Sequence, residues 1–176
     1  KDMSEREEQS AGSLTWIGET YFGLAQSSSQ DAAAAGEYFN SASTAYQMII
    51  DRAKDDVEFM PAKQITTVKL RLVNCRRFQG KYEEAETLVK QVAKAKPNNL
   101  DVQFEAALNY QTWAESGETD KYLIAIKGGG DLWGWGKTAS MLQRQLAAGR
   151  SQYLDQHFEA RLHIVECRYK YATAQS

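Results

Sequence analysis

Apolar residues recur at three- and four-residue steps along nearly the whole chain, the spacing of one face of an α-helix rather than the alternation of a strand. Asp31 is placed to cap a helix whose apolar positions are Tyr38, Ala42, Ala45, Ile49 and Ala53. Val68, Leu72 and Cys75 share a stripe in the next helical segment. Lys121 to Lys127 forms a short helix with Ala125 and Ile126 facing inward. Asp131 is read as the cap of a helix carrying Leu132, Trp135, Ala139, Leu142 and Leu146, closed by Gly149. Ser151 is read as the cap of the last helix, with Leu154, Phe158, Leu162, Val165 and Tyr169 on one stripe. Turn residues separate these runs at 26–30, at Gly80-Lys81-Tyr82, at Ser116-Gly117-Glu118 and at Gly128-Gly129-Gly130. The pattern predicts an all-α chain of about eight helices. They pair as hairpins over 11–54, 66–99 and 100–127, followed by helices over 131–148 and 151–174.

The hairpins carry a repeat. In 66–99, Leu72 and Val73 are followed by Ala85, Val89 and a closing Pro97. One period later Ala106, Ala107 and Tyr110 occupy the equivalent first-helix places. Ile17-Gly18 and Tyr21 open a stretched copy near the start. The stretch Arg161 to Arg168 echoes Lys69 to Arg76, which sets Cys167 in the place of Cys75. This order of Leu-Gly, Tyr, Ala, large apolar and Pro over about 34 residues resembles the tetratricopeptide family, in degenerate form. The copy at 66–99 departs from it at Val73, where the family has glycine, and at Arg76, where it has tyrosine. The resemblance implies a short right-handed solenoid forming one domain over 1–176, with the last helix opening a further repeat. It also implies that small residues such as Ala85 and Ala107 sit at close helix–helix contacts.

Composition narrows the function. The 21 Lys and Arg against 23 Asp and Glu leave no basic excess, so nucleic acid is a poor expectation as partner. No run approaches the roughly 18 apolar residues of a membrane span, and no direct insertion is expected. The start, Lys1 to Ser10, is charged and polar, unlike a signal peptide. Without an initiator methionine the chain reads as a piece of a larger protein, and its compartment is left open. The two cysteines, Cys75 and Cys167, read as small buried apolar groups rather than a disulfide framework. Only two prolines occur, which suits helix.

Candidate chemistry is thin. Gly134-Trp135-Gly136-Lys137-Thr138 imitates a phosphate-binding loop, but Asp131 stands where that loop needs glycine. The glycine run 128–130 is read as a flexible joint. Glu159, His163 and Cys167 stand one helical turn apart, yet a zinc site wants about four ligands and His157 points elsewhere. No Gly-x-Ser-x-Gly elbow occurs, and Glu83 and Glu84 suit a helix N-terminus. The expectation is a non-catalytic chain with no cofactor and no metal.

The resemblance implies that first helices line a concave groove for a peptide or a helix of a partner whose identity stays open. Carried over by position, the groove takes Thr15, Trp16, Glu19 and Phe22, then Thr67, Leu70, Arg71, Asn74, Arg77 and Phe78. The next helix adds Asp101, Phe104, Glu105, Leu108 and Gln111. Acidic Asp101 and Glu105 do not suit capture of a partner's terminal carboxylate. Asn74 and Arg77 lie away from the Val68, Leu72, Cys75 stripe and are expected to be dispensable to the core. Trp133 lies about 200° around its helix from Trp135, and it either packs on the glycine joint or anchors a partner. The favoured partner-binding set is Arg71, Asn74, Arg77, Phe78, Phe104, Gln111 and Trp133. The alternatives are a self-associating or spacer segment, with the last helix leaving a face uncovered, and more remotely a small-ligand receptor or enzyme.

Overall fold

A computed structural model describes residues 9–28 and 30–175. The polar start Lys1 to Glu8, and Ser29 within the expected turn at 26–30, lie outside them. Eight helices are described: α1 (Ala11–Ser27), α2 (Ala32–Asp55), α3 (Ala62–Phe78), α4 (Tyr82–Ala95), α5 (Leu100–Glu115), α6 (Lys121–Lys127), α7 (Trp135–Ala147) and α8 (Leu154–Ala174). The described residues are all-α apart from one two-stranded ribbon, β1 (Gly128–Gly129) and β2 (Leu132–Trp133). Contacts divide the chain into two units, Lys1–Ala85 and Glu86–Ser176, with the division inside α4. Among the described residues no helix is long and apolar enough to cross a membrane.

In the first unit α1 packs on α2, and α2 on α3. Ser10 and Asp31 cap α1 and α2 by accepting from the amides of Ser13 and Ala34. Pro61 precedes α3, which needs no donor there, so this helix starts earlier than the apolar periodicity indicates. The core is built from Leu14, Ile17 and Phe22 of α1, Phe39, Ala42, Ala45, Tyr46 and Ile49 of α2, and Val68, Leu72 and Cys75 of α3. Gly18 is the point of closest approach. A Cβ there would lie 2.6 Å from Cε1 of the Tyr46 ring, so only glycine lets this ring lie flat on α1. Ala85, at the end of this unit, is fully buried.

In the second unit α5 packs on α6 and α7, α6 on α7 and α8, and α7 on α8. Asn99 caps α5, and Ala107 is fully buried within it. Two expectations give way here. The glycine run is not a joint but a tight hairpin, with Gly129 paired to Leu132 and Gly128 to Trp133. Gly130, at φ 59°, takes the first turn position, where a two-residue hairpin of this kind prefers glycine. Asp131 sits in that turn and caps nothing; α7 begins only at Trp135, after Gly134. The reason is steric: Gly134 passes so close to Ile126 and Gly128 that the chain cannot be helical until it has cleared them.

The last helix is also placed differently. Ser151 does not cap it but opens a single tight turn, Ser151–Tyr153, before α8. The structure packs α8 on α7 and α6. Its inward residues are His157, Ala160 and Cys167, while the apolar stripe of Leu154, Phe158, Leu162, Val165 and Tyr169 is exposed. His157 bonds the Ala139 carbonyl of α7 at 3.2 Å, and Ala160 and Cys167 of α8 are fully buried.

Candidate functional site

On the first unit α1 and α3 both pack on α2, and their side chains meet where Arg71 reaches Glu19 and Phe22. The Tyr46 hydroxyl, carried across by the Gly18 contact, donates to Glu19 Oε1 at 2.9 Å. Arg71 Nε donates to the same oxygen at 3.0 Å, which ties α3 to α1. Burial first, then the Glu19 hydrogen bond and charge, push the Tyr46 hydroxyl well above its ordinary value, so it remains a donor. The Arg71 guanidinium lies 4.8 Å from the Phe22 ring centre. Trp16, one turn before Glu19 on the same face of α1, is 62% exposed.

Further along α3, the Phe78 ring lies parallel on Phe39, with centroids 4.5 Å apart, and keeps 52% of its surface exposed. Arg77 donates to Asn74 Oδ1 at 3.0 Å and covers Phe78 at 4.7 Å. Its burial corrects the expectation that the core can do without it. Arg77 is a structural strut that orients Asn74 and Phe78. Arg71, Asn74 and Phe78 follow at i, i+3 and i+7 and so share one stripe. The Arg71–Glu19 bond therefore joins the Trp16, Glu19 stripe of α1 to the Arg71, Asn74, Phe78 stripe of α3.

The second unit treats its expected site residues otherwise. Gln111 is buried, and its Oε1 accepts from Trp135 Nε1 at 2.8 Å and from Cys167 Sγ at 3.3 Å. Its Nε2 lies 3.4 Å from Glu166 Oε2. Phe104 is half-buried and stands edge-on to Trp135. Trp133 is buried in β2, its amide donating to Gln103 Oε1 at 2.7 Å, with Lys137 Nζ 4.4 Å from its ring centre. Gln111 and Trp133 thus offer no surface to a partner; each is spent inside the unit. Helical geometry placed Trp133 opposite Trp135, but the ribbon puts the two on different elements and buries both.

Around Gln111 the polar groups form one network. His163 stacks on Trp135 (4.5 Å) and reaches Glu166 Oε2 at 3.2 Å, and Lys170 holds Glu115 at 2.6 Å. Burial, with the Glu115 and Glu166 charges, pushes the Cys167 thiol up to about 12. Burial does the same to Cys75, also up to about 12. Neither thiol is an activated nucleophile. Among the described residues no group of side chains could hold a metal ion. In the Glu159, His163, Cys167 stripe, Glu159 lies 3.7 Å from His163, His163 reaches Glu166, and Cys167 donates to Gln111.

Two residues that position this architecture escaped the sequence reading. Gln103 is fully buried and donates to the carbonyls of Pro97 (2.8 Å) and Asp131 (3.3 Å) while accepting from Trp133. Its signal was present: it shares the i, i+3, i+4, i+7 stripe with Ala106, Ala107 and Tyr110, and a glutamine on an apolar stripe implies a buried partner. Tyr46 was hidden because it looked like any aromatic on the α2 stripe. No family model matches the chain, and neither the curated proteins nor the solved structures yield a match.

Proposed function

We propose that the chain is a non-catalytic scaffold that binds a segment of another protein on the α1/α3 face of its first unit. The observation that carries this reading is the exposed pair Trp16 and Phe78 flanking an arginine already fixed in place by Glu19 and Phe22. Exposed aromatics beside an ordered arginine are the side chains most often found at the energetic centre of protein interfaces. A preorganised Arg71 loses little freedom on binding, which favours affinity. The tetratricopeptide-like register supports the choice of face. Gly18 packed under Tyr46 and fully buried Ala85 and Ala107 are the small-residue contacts that register requires. The segment that fits best is short, with apolar side chains for Trp16 and Phe78 and an acidic or amide group for Arg71 and Asn74.

The test is selection from a random peptide library on the whole chain, followed by titration of enriched peptides. Trp16→Ala with Arg71→Ala should weaken binding more than tenfold. Its melting curve should move little, because the Trp16 side chain is mostly exposed and the Arg71–Glu19 pair is solvent-facing. Peptides that bind the double variant as well as the parent would move the site off this face.

A further inference from the structure

The apolar stripe of α8 points away from its own unit. Leu154, Phe158, Leu162, Val165 and Tyr169 are between 47% and 72% exposed, a run of large side chains that an isolated surface helix does not place in water by chance. From Phe158 onward the steps are four, three, four and three, through Leu162, Val165 and Tyr169 to Ala172. That is the seam spacing of a two-stranded coiled coil, with Phe158, Val165 and Ala172 at one core position and Leu162 and Tyr169 at the other. The inward residues His157, Ala160 and Cys167 fall outside this seam, so α8 serves α7 and α6 on one face and leaves a complete seam on the other.

The charges bordering the seam select its occupant. Glu159 and Glu166 line one edge, both beside His163 yet still partly exposed, and Arg161 and Arg168 line the other. Among the described residues neither arginine has an ion-pair partner within the chain. In a parallel pair of identical helices, each Arg161 meets Glu166 of the other copy, five residues on, and the exchange is reciprocal. In an antiparallel pair the arginines face arginines and the glutamates face glutamates. A membrane surface would favour a basic border, and this one is balanced.

We propose that α8 pairs in parallel and in register with α8 of a second copy of this chain, making the protein a weak homodimer through its second unit. The surface differs from the α1/α3 face, so either proposal can fail without the other.

Sedimentation of the whole chain from about 1 µM to about 300 µM, a range spanning ordinary weak association, should show the mass rising from 19.8 kDa toward twice that value. Val165→Lys, a 64% exposed site, should hold the mass at the monomer value with an unchanged melt of the dilute protein. Arg161→Glu should weaken association about tenfold, as two reciprocal attractions become repulsions. Tyr169→Cys lies off the centre of the seam and meets itself only in the parallel register, so mild oxidation should give a covalent dimer. The buried Cys75 and Cys167 leave the parent uncrosslinked. A mass fixed at the monomer value, or association that survives Val165→Lys, overturns the dimer. Association in which Val165→Cys crosslinks but Tyr169→Cys does not overturns the parallel arrangement. A monomer that binds anionic phospholipid vesicles through Val165 would assign the stripe to a membrane and overturn the proposal.

Discussion

Replacing glycine by alanine should have opposite signs at two places in this chain, and the contrast tests the packing of both units. At Gly134 a Cβ would lie 2.4 Å from the Gly128 nitrogen and 2.5 Å from both the Ile126 carbonyl carbon and its oxygen. All three are backbone atoms, so no rotamer change relieves the overlap. The ribbon must move off the end of α6, which breaks its register on Gln103 at the Trp133 amide. Overpacking of this kind costs about 3 kcal/mol, near the upper end for one added methyl group. At 2–4 °C per kcal/mol for a chain of this size, the midpoint should fall by roughly 6–12 °C. At Gly36, inside α2, an added Cβ meets nothing within 4 Å. There alanine removes unfolded-state freedom and improves helix propensity, so the variant should gain about 0.5–1 kcal/mol. Thermal melts by far-ultraviolet circular dichroism give both numbers. A Gly134→Ala variant melting at or above the parent would refute the tight passage between α6 and the ribbon. A destabilised Gly36→Ala would refute the open surroundings assigned to that turn of α2.

Two further outcomes follow from the buried polar groups. Gln111→Leu should cost about 2 kcal/mol, because it strands the Trp135 indole N–H in the interior; a denaturant titration read by tryptophan fluorescence with an unchanged midpoint would remove Gln111 from the network. Stability should also decline as pH rises above 9: unfolded thiols titrate near 9.0 while Cys75 and Cys167 stay protonated up to about 12. The folded chain then binds more protons than the unfolded one, and each thiol contributes a loss of up to about 1.4 kcal/mol per pH unit between those limits. Tyr46 and Tyr110, both raised mainly by burial, act in the same direction above the ordinary tyrosine value of 10.0. A flat melting temperature from pH 8 to 11 would contradict that burial.

Helix positions were legible in the sequence because their signal is local. The Asp31 cap, the α6 bounds and the stripes of α2 and α3 each depend on residues within a few turns. The ribbon was not legible, because Leu132 continues the helical spacing of Trp135 and Ala139 without interruption. What overrides that spacing is the approach of Gly134 to Ile126 and the capture of the Trp133 amide by Gln103, thirty residues earlier. Periodicity carries no record of such contacts. Even so, a two-residue Gly130-Asp131 turn between Gly129 and Leu132 is a hairpin signal in its own right.

The candidate site shows the same division between local and distant information. Register placed Arg71, Asn74 and Phe78 on one stripe of α3, and they do share it. Register could not separate residues that line a surface from residues that hold it up, since Arg77 and Gln111 occupy equally plausible positions. The distinction comes from what each meets: Arg77 finds Asn74 and Phe78, and Gln111 finds Trp135 and Cys167. For α8 the inference inverts. A stripe of Leu154, Phe158, Leu162, Val165 and Tyr169 is ordinarily the buried face, because burying such side chains is worth roughly 1.5–3 kcal/mol each. Here His157, Ala160 and Cys167 take the inward side, where His157 meets the Ala139 carbonyl and Cys167 donates to Gln111. The helix forgoes that gain within its own unit. Under the proposed parallel pairing a second copy covers this seam, and the gain forgone within the unit is recovered between the two chains.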